Sequence, residues 1–73
     1  MPWPASVPPE LRDLIERSCT QKEVEVLQLK AMGYGVGRMS SLLDISETAV
    51  RKRLRAAARK VQAEAAAQRG VQS

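Results

Sequence analysis

The 73 residues suffice for one small domain with a marginal hydrophobic core, which leaves little room for a catalytic cleft. The chain has no histidine, a single cysteine and no carboxylate cluster at ligand spacing, which excludes the usual metal sites, nucleophile pairs and any internal disulfide. We therefore expect no enzymatic activity, no cofactor and no metal ion, and the net charge of +4 favours an acidic partner.

The chain begins with a proline-rich stretch. Residues 1–9 hold all four prolines and no periodic apolar pattern, which predicts a flexible, extended arm over residues 1–8. Trp3 in this arm is either loose in solvent or an anchor on the helices, and the neighbouring residues do not separate these readings. The arm lacks the basic and apolar segments of a secretion signal, so a cytoplasmic protein is expected.

A first short helix is predicted over residues 9–17. Pro9 suits its first turn, where the missing amide costs nothing. Apolar residues then recur at the spacing of one buried helix face, at Leu11, Leu14 and Ile15. This helix opens the predicted folded domain, residues 9–67.

A capping box marks the start of a second helix, predicted over residues 20–32. Thr20 and Glu23 have the spacing at which each side chain satisfies an end amide of the other residue. Cys19 and Val24 occupy the positions of a hydrophobic staple, so we interpret Cys19 as a small buried thiol and not as a reactive one. Two apolar strips predict that this helix is the central packing helix: Val24, Leu27 and Ala31 on one side, Val26 and Leu29 on the other.

A third helix is predicted over residues 36–44, after a glycine-rich connector in which Gly33 is a natural left-handed stop. Its apolar face consists of Met39, Leu42 and Leu43. Asp44 tolerates the left-handed conformation that ends a helix, and Ile45 returns to the core. No strand precedes the glycines and no Gly-Lys-Ser/Thr follows them, which argues against a phosphate-binding loop.

The fourth helix is predicted over residues 46–67, with Ser46 as its N-cap and residues 68–73 as a flexible tail. One stripe of this helix must face a core: Val50, Leu54, Ala57 and Val61. Residues 46–60 carry six basic side chains and one acidic side chain, whereas the rest of the chain is slightly acidic. Thr48, Lys52, Arg55 and Arg59 lie opposite the stripe, Arg51 lies at one shoulder, and Arg53 and Lys60 lie at the other.

A basic helix face is often only a solvated surface, but here three residues separate it from the preceding apolar helix. That turn length is typical of a helix-turn-helix, so the sequence predicts an all-α, four-helix fold with the motif over about residues 36–60. Two aromatic residues are too few for single-strand or RNA recognition, which favours double-stranded DNA. Alanines instead of Trp, Phe or Leu on the basic helix argue against membrane binding.

Residues 20–61 resemble the promoter-reading C-terminal domain (region 4) of bacterial sigma factors, and they are also similar to LuxR-type DNA-binding domains. The shared features are the Thr-x-x-Glu start, the Gly33 break, the pair Ile45-Ser46, and the basic run from Arg51 to Arg55. The stretch AVRKRLRAAARKV is closer to the sigma type. The chain has no space for the other domains of a sigma factor, so the resemblance implies a stand-alone, nucleoid-associated regulator from a bacterium or a phage.

The expected function is sequence-specific binding of duplex DNA for transcriptional control. We expect base edges to be contacted by Thr48, Arg51, Lys52 and Arg55. We expect phosphates to be contacted by Arg38, Ser46, Arg53, Arg59 and Lys60. The alternative is a sigma mimic that binds RNA polymerase or a sigma factor through the same helices. The free protein is expected to be a monomer that pairs, if at all, on DNA.

Overall fold

The computed structural model describes residues 3–72, and the side chains of residues 3–70. The described chain contains four α-helices and no strand, which confirms the all-α class. The helices are α1 (Pro9–Ser18), α2 (Gln21–Ala31), α3 (Val36–Leu43) and α4 (Glu47–Gln72). None of them is long and apolar enough to cross a membrane.

The N-terminal arm folds back onto α1. The amide of Val7 donates to the carbonyl of Pro4 at 3.1 Å and makes a turn, and the indole Nε1 of Trp3 donates to Glu16 Oε2 at 3.1 Å. As predicted, the described arm residues contain no helix. Of the two readings of Trp3, the structure favours the anchor; Met1 and Pro2 lie outside the described residues.

The capping box at the start of α2 is confirmed. The Glu23 amide donates to Thr20 Oγ1 at 3.3 Å, and the Thr20 amide donates to Glu23 Oε1 at 2.9 Å. Gly33 follows the helix with φ +98°, the left-handed stop that the sequence predicts. The expectation that Ala31 shares a buried face is wrong, because Ala31 lies exposed at the end of α2. Glu23 and Gln28 are instead among the buried residues of this helix.

The core lies where α2, α3 and α4 meet. Its buried residues are Val26, Leu29, Met39 and Val50. Tyr34, Val36, Leu43, Ile45 and Leu54 pack around them, so Ile45 returns to the core as expected. Leu42 was expected on the buried face of α3 and is 51% exposed. Only the side of this short helix around Met39 is fully covered by the core.

Helix α4 extends along the whole molecule and packs against each of the other three helices. Its 26 residues span about 39 Å at 1.5 Å per residue, which accounts for most of the 43 Å long axis. The predicted end at residue 67 is too early, and the helix continues to Gln72. Alanine, glutamine and arginine favour helix, and the single Gly70 costs only about 1 kcal/mol relative to alanine. Ser73 lies outside the described residues.

Candidate nucleic-acid interface

The connection between α3 and α4 is a tight turn that hydrogen bonds between Ser40 and Ile45 hold in place. Asp44 adopts the left-handed conformation, with φ 56° and ψ 47°. The amide of Ile45 donates to the Ser40 carbonyl at 3.2 Å, and the Ser40 hydroxyl donates to the Ile45 carbonyl. Ser40 therefore ties the last turn of α3 to the residue that re-enters the core. This role was not predicted from the sequence, since a serine in a short helix carries no distinctive signal.

Ser46 caps α4, as predicted. Its Oγ accepts a hydrogen bond from the Ala49 amide at 3.1 Å, and its carbonyl accepts one from the Val50 amide at 3.1 Å. Ser46 is exposed, and a hydroxyl that accepts one bond can still donate its own proton. The cap therefore leaves one donor available at the start of the helix.

The inner stripe of α4 is buried as the sequence predicts. Val50 and Ala57 are completely inaccessible to solvent, whereas Leu54 and Val61 are partly covered. The thiol of Cys19 lies 3.8 Å from the Ala57 carbonyl oxygen, which places this partly buried cysteine against α4. Burial of the stripe fixes the rotation of the helix, and so it fixes which side chains face outward.

The outward face of α4 is cationic. Thr48, Lys52, Arg55 and Arg59 are all exposed, and the last three line a shallow depression along the helix together with Ala58 and Gln62. The three cations occur at spacings of three and four residues, which places them on one side of the helix over about 10 Å. Within the described chain, none of these three cations forms a hydrogen bond or an ion pair.

Arg51 lies beside this face but already has a partner. One terminal nitrogen of its guanidinium lies 3.3 Å from Glu47 Oε1, one helical turn earlier. Both side chains are about half exposed, at 53% each. Arg51 is therefore adjacent to the cationic face and tethered to a carboxylate.

Lys60 points toward α2. Its Nζ lies 2.9 Å from Glu23 Oε1, the same oxygen that accepts the Thr20 amide. The pKa of Glu23 lies below its ordinary value of 4.5. The main cause is the hydrogen bond from Lys60, the bond from the Thr20 backbone adds to it, and burial of the carboxyl group opposes both. The ammonium of Lys60 thus joins α4 to the start of α2.

The remaining two expected phosphate contacts do not line the depression on α4. Arg53 follows Lys52 on α4 and is partly buried, and Arg38 is exposed in the first turn of α3. The structure therefore groups three of the predicted site residues, Lys52, Arg55 and Arg59, on one depression. It places Arg51 and Lys60 in ion pairs that were not predicted from the sequence.

Comparison with known proteins gives no relative for this chain. No protein-family model matches it, and neither a curated protein nor a solved structure does. Its function must therefore be inferred from its own geometry and charge.

Proposed function

We propose that this chain binds double-stranded DNA sequence-specifically through the outer face of α4, as a small helix-turn-helix regulator of transcription. The observation that carries the proposal is the row of Lys52, Arg55 and Arg59 on a helix whose opposite side is buried. An exposed helix of about 10 Å diameter fits the major groove of B-DNA, which is about 12 Å wide. Neutralised phosphates then supply most of the affinity.

The connection before α4 supports the same assignment. Three residues, Asp44 to Ser46, separate α3 from α4, and the left-handed Asp44 and the Ser46 cap make the turn compact. A short, fixed turn lets a first helix that packs on the core hold a second helix at a constant angle against the duplex. The likeness to sigma region 4 and to LuxR-type domains, and a bacterial or phage origin, remain predictions from the sequence.

The proposed roles follow the positions of the side chains. Base edges are assigned to Thr48, Arg51, Lys52 and Arg55 in the first half of α4. Phosphates are assigned to Arg38, Ser46, Arg53 and Arg59. Lys60, expected from the sequence to bind phosphate, receives a structural role here because Glu23 already pairs with its ammonium.

Fluorescence anisotropy with a labelled random-sequence duplex, repeated over a range of salt concentrations, tests the proposal. Four to six phosphate contacts give an expected slope of roughly −4 to −5 in log K against log salt. Arg59→Ala should weaken binding to all sequences and make the slope shallower by about 0.9. Lys22→Ala is the matched control, because it removes the same charge from an exposed position in the first turn of α2.

Base reading is tested separately by selection of preferred sites from random DNA. Lys52→Ala and Arg55→Ala should each relax the preference at individual base pairs by about 1–3 kcal/mol.

A wild-type affinity that does not change between low and physiological salt would exclude the outer face of α4 as a DNA site.

A second candidate function is binding to RNA polymerase or to a sigma factor. It is favoured by Leu42, an apolar side chain of α3 that is half exposed. Absence of DNA binding at low salt, together with binding to purified polymerase that Leu42→Ser abolishes, would support this function over the first.

A further inference from the structure

The ion pair between Glu47 and Arg51 lies at the start of the cationic face. Its nitrogen-to-oxygen distance is 3.3 Å, and it joins the first turn of α4 to the next turn. Glu47 also reaches toward α3, because a Cβ added at Gly37 would lie 3.5 Å from Glu47 Oε2. The carboxylate therefore lies between the first turns of two helices, whose positive ends both favour a negative charge.

Resting on the proposed function, we infer that Glu47 competes with DNA for Arg51 and thereby limits the affinity for matched sites. Its carboxylate holds Arg51 until two acceptors on a base edge replace it. An exposed pair one turn apart is weak, so a guanine edge, which offers O6 and N7 to both arms of a guanidinium, can displace it. Where the sequence offers no such acceptors, Arg51 stays on Glu47 and adds little to binding.

The negative charge of Glu47 also lowers the affinity for DNA. It lies in the first turn of the helix that approaches the duplex, where it repels phosphates in every complex, matched or unmatched. A matched site takes Arg51 away and leaves the carboxylate without its counter-charge, whereas an unmatched site leaves the pair intact. Glu47 thereby lowers the affinity for matched DNA more than the affinity for unmatched DNA.

The test compares the affinity of two probes, a random-sequence duplex pool and a duplex recovered by selection with the wild-type protein. Glu47→Gln removes the charge and weakens the hold on Arg51, and it should tighten binding to the random pool about 3- to 10-fold. The selected duplex should gain more, because only there does the wild-type protein break the ion pair, so the ratio of its affinity to that of the random pool should rise. Glu47→Asp keeps the charge but is one methylene shorter, and it should produce part of the same change.

Two further variants make the result specific to the pair. In an Arg51→Ala background, Glu47→Gln should lose the part of its effect that depends on a released arginine, so the two changes should not be additive. Glu64→Gln, on the same helix about 25 Å further along, removes the same charge and should change neither ratio nor affinity appreciably. Melting curves by circular dichroism check that all variants fold.

The outcomes separate this inference from the proposed function. If the wild-type protein binds neither probe at low salt, DNA binding itself is wrong. If it binds both and Glu47→Gln leaves the ratio unchanged, DNA binding stands and the role of Glu47 is overturned. A loss of preference at a single cytosine in Glu47→Gln would also overturn it, since that result identifies Glu47 as a direct reader of the base.

Discussion

The contact between Glu23 and Lys60 should contribute measurably to stability, and in a way that depends on pH. Glu23 is 8% exposed, and its Oε1 accepts both the Thr20 amide and the Lys60 ammonium at 2.9 Å. Glu23→Gln keeps an acceptor for the Thr20 amide, since glutamine also completes a capping box, and removes the charge that pairs with Lys60. A partly exposed ion pair contributes up to about 1 kcal/mol, so we expect the free energy of unfolding to fall by about 1 kcal/mol at pH 7.

The sign of the pH dependence follows from the lowered pKa of Glu23. A carboxyl group whose pKa is lower in the folded state stabilises the fold above its unfolded pKa, and this stability is lost as the pH falls through the folded value. The difference in stability between wild type and Glu23→Gln should therefore be full above about pH 6. It should shrink as the pH falls below the ordinary value of 4.5.

Urea unfolding followed by circular dichroism at pH 7 and at pH 3 measures both effects. Glu25→Gln is the matched control, because this carboxylate lies two residues further along α2 and forms no ion pair in the described chain. A double-mutant cycle with Lys60→Met isolates the coupling between the two side chains. The reasoning fails if Glu23→Gln unfolds at the wild-type midpoint at pH 7, or if the difference between them is the same at pH 3.

Two further predictions concern the start of α4 and the assembly of the chain. Ser46→Ala should lower the free energy of unfolding by about 1 kcal/mol, since the Ala49 amide loses its acceptor, and an unchanged melting temperature would contradict this. The free protein should sediment as a monomer at micromolar concentration, because the exposed alanines on the last turns of α4 offer little apolar area for association. A clean dimer without DNA would show that another surface, such as the docked arm with Trp3, mediates association.

The parts of the fold that the sequence predicts correctly depend on residues a few positions apart. The capping box of Thr20 and Glu23, the Ser46 cap and the left-handed turn at Asp44 are each settled within one helical turn. Such interactions can be seen in the order of residue types, because the backbone groups that they satisfy are fixed by the helix itself. The starts of α2 and α4 could therefore be predicted to within one residue.

The parts that the sequence does not predict depend on how helices cross. The spacing of Met39, Leu42 and Leu43 indicates one apolar face, but only the packing of α3 decides that Leu42 stays exposed. Glu23 and Lys60 are 37 residues apart, and no periodicity links them. The pair of Glu47 and Arg51 is different, since its four-residue spacing is visible in the sequence and permits an ion pair on any helix surface.

The adjacent cations Arg59 and Lys60 show why a count of basic residues overstates the charge available to DNA. They differ by about 100° around α4, so one faces outward while the other reaches α2. Residues 46–60 contain six basic side chains, and ion pairs inside the protein occupy two of them, Arg51 and Lys60. The other four cations of this stretch, and Arg38 on α3, form no ion pair in the described chain. The charge that the sequence concentrates in one helix thus has two uses, since Lys60 joins α4 to α2 and the outer cations are left available to a polyanion.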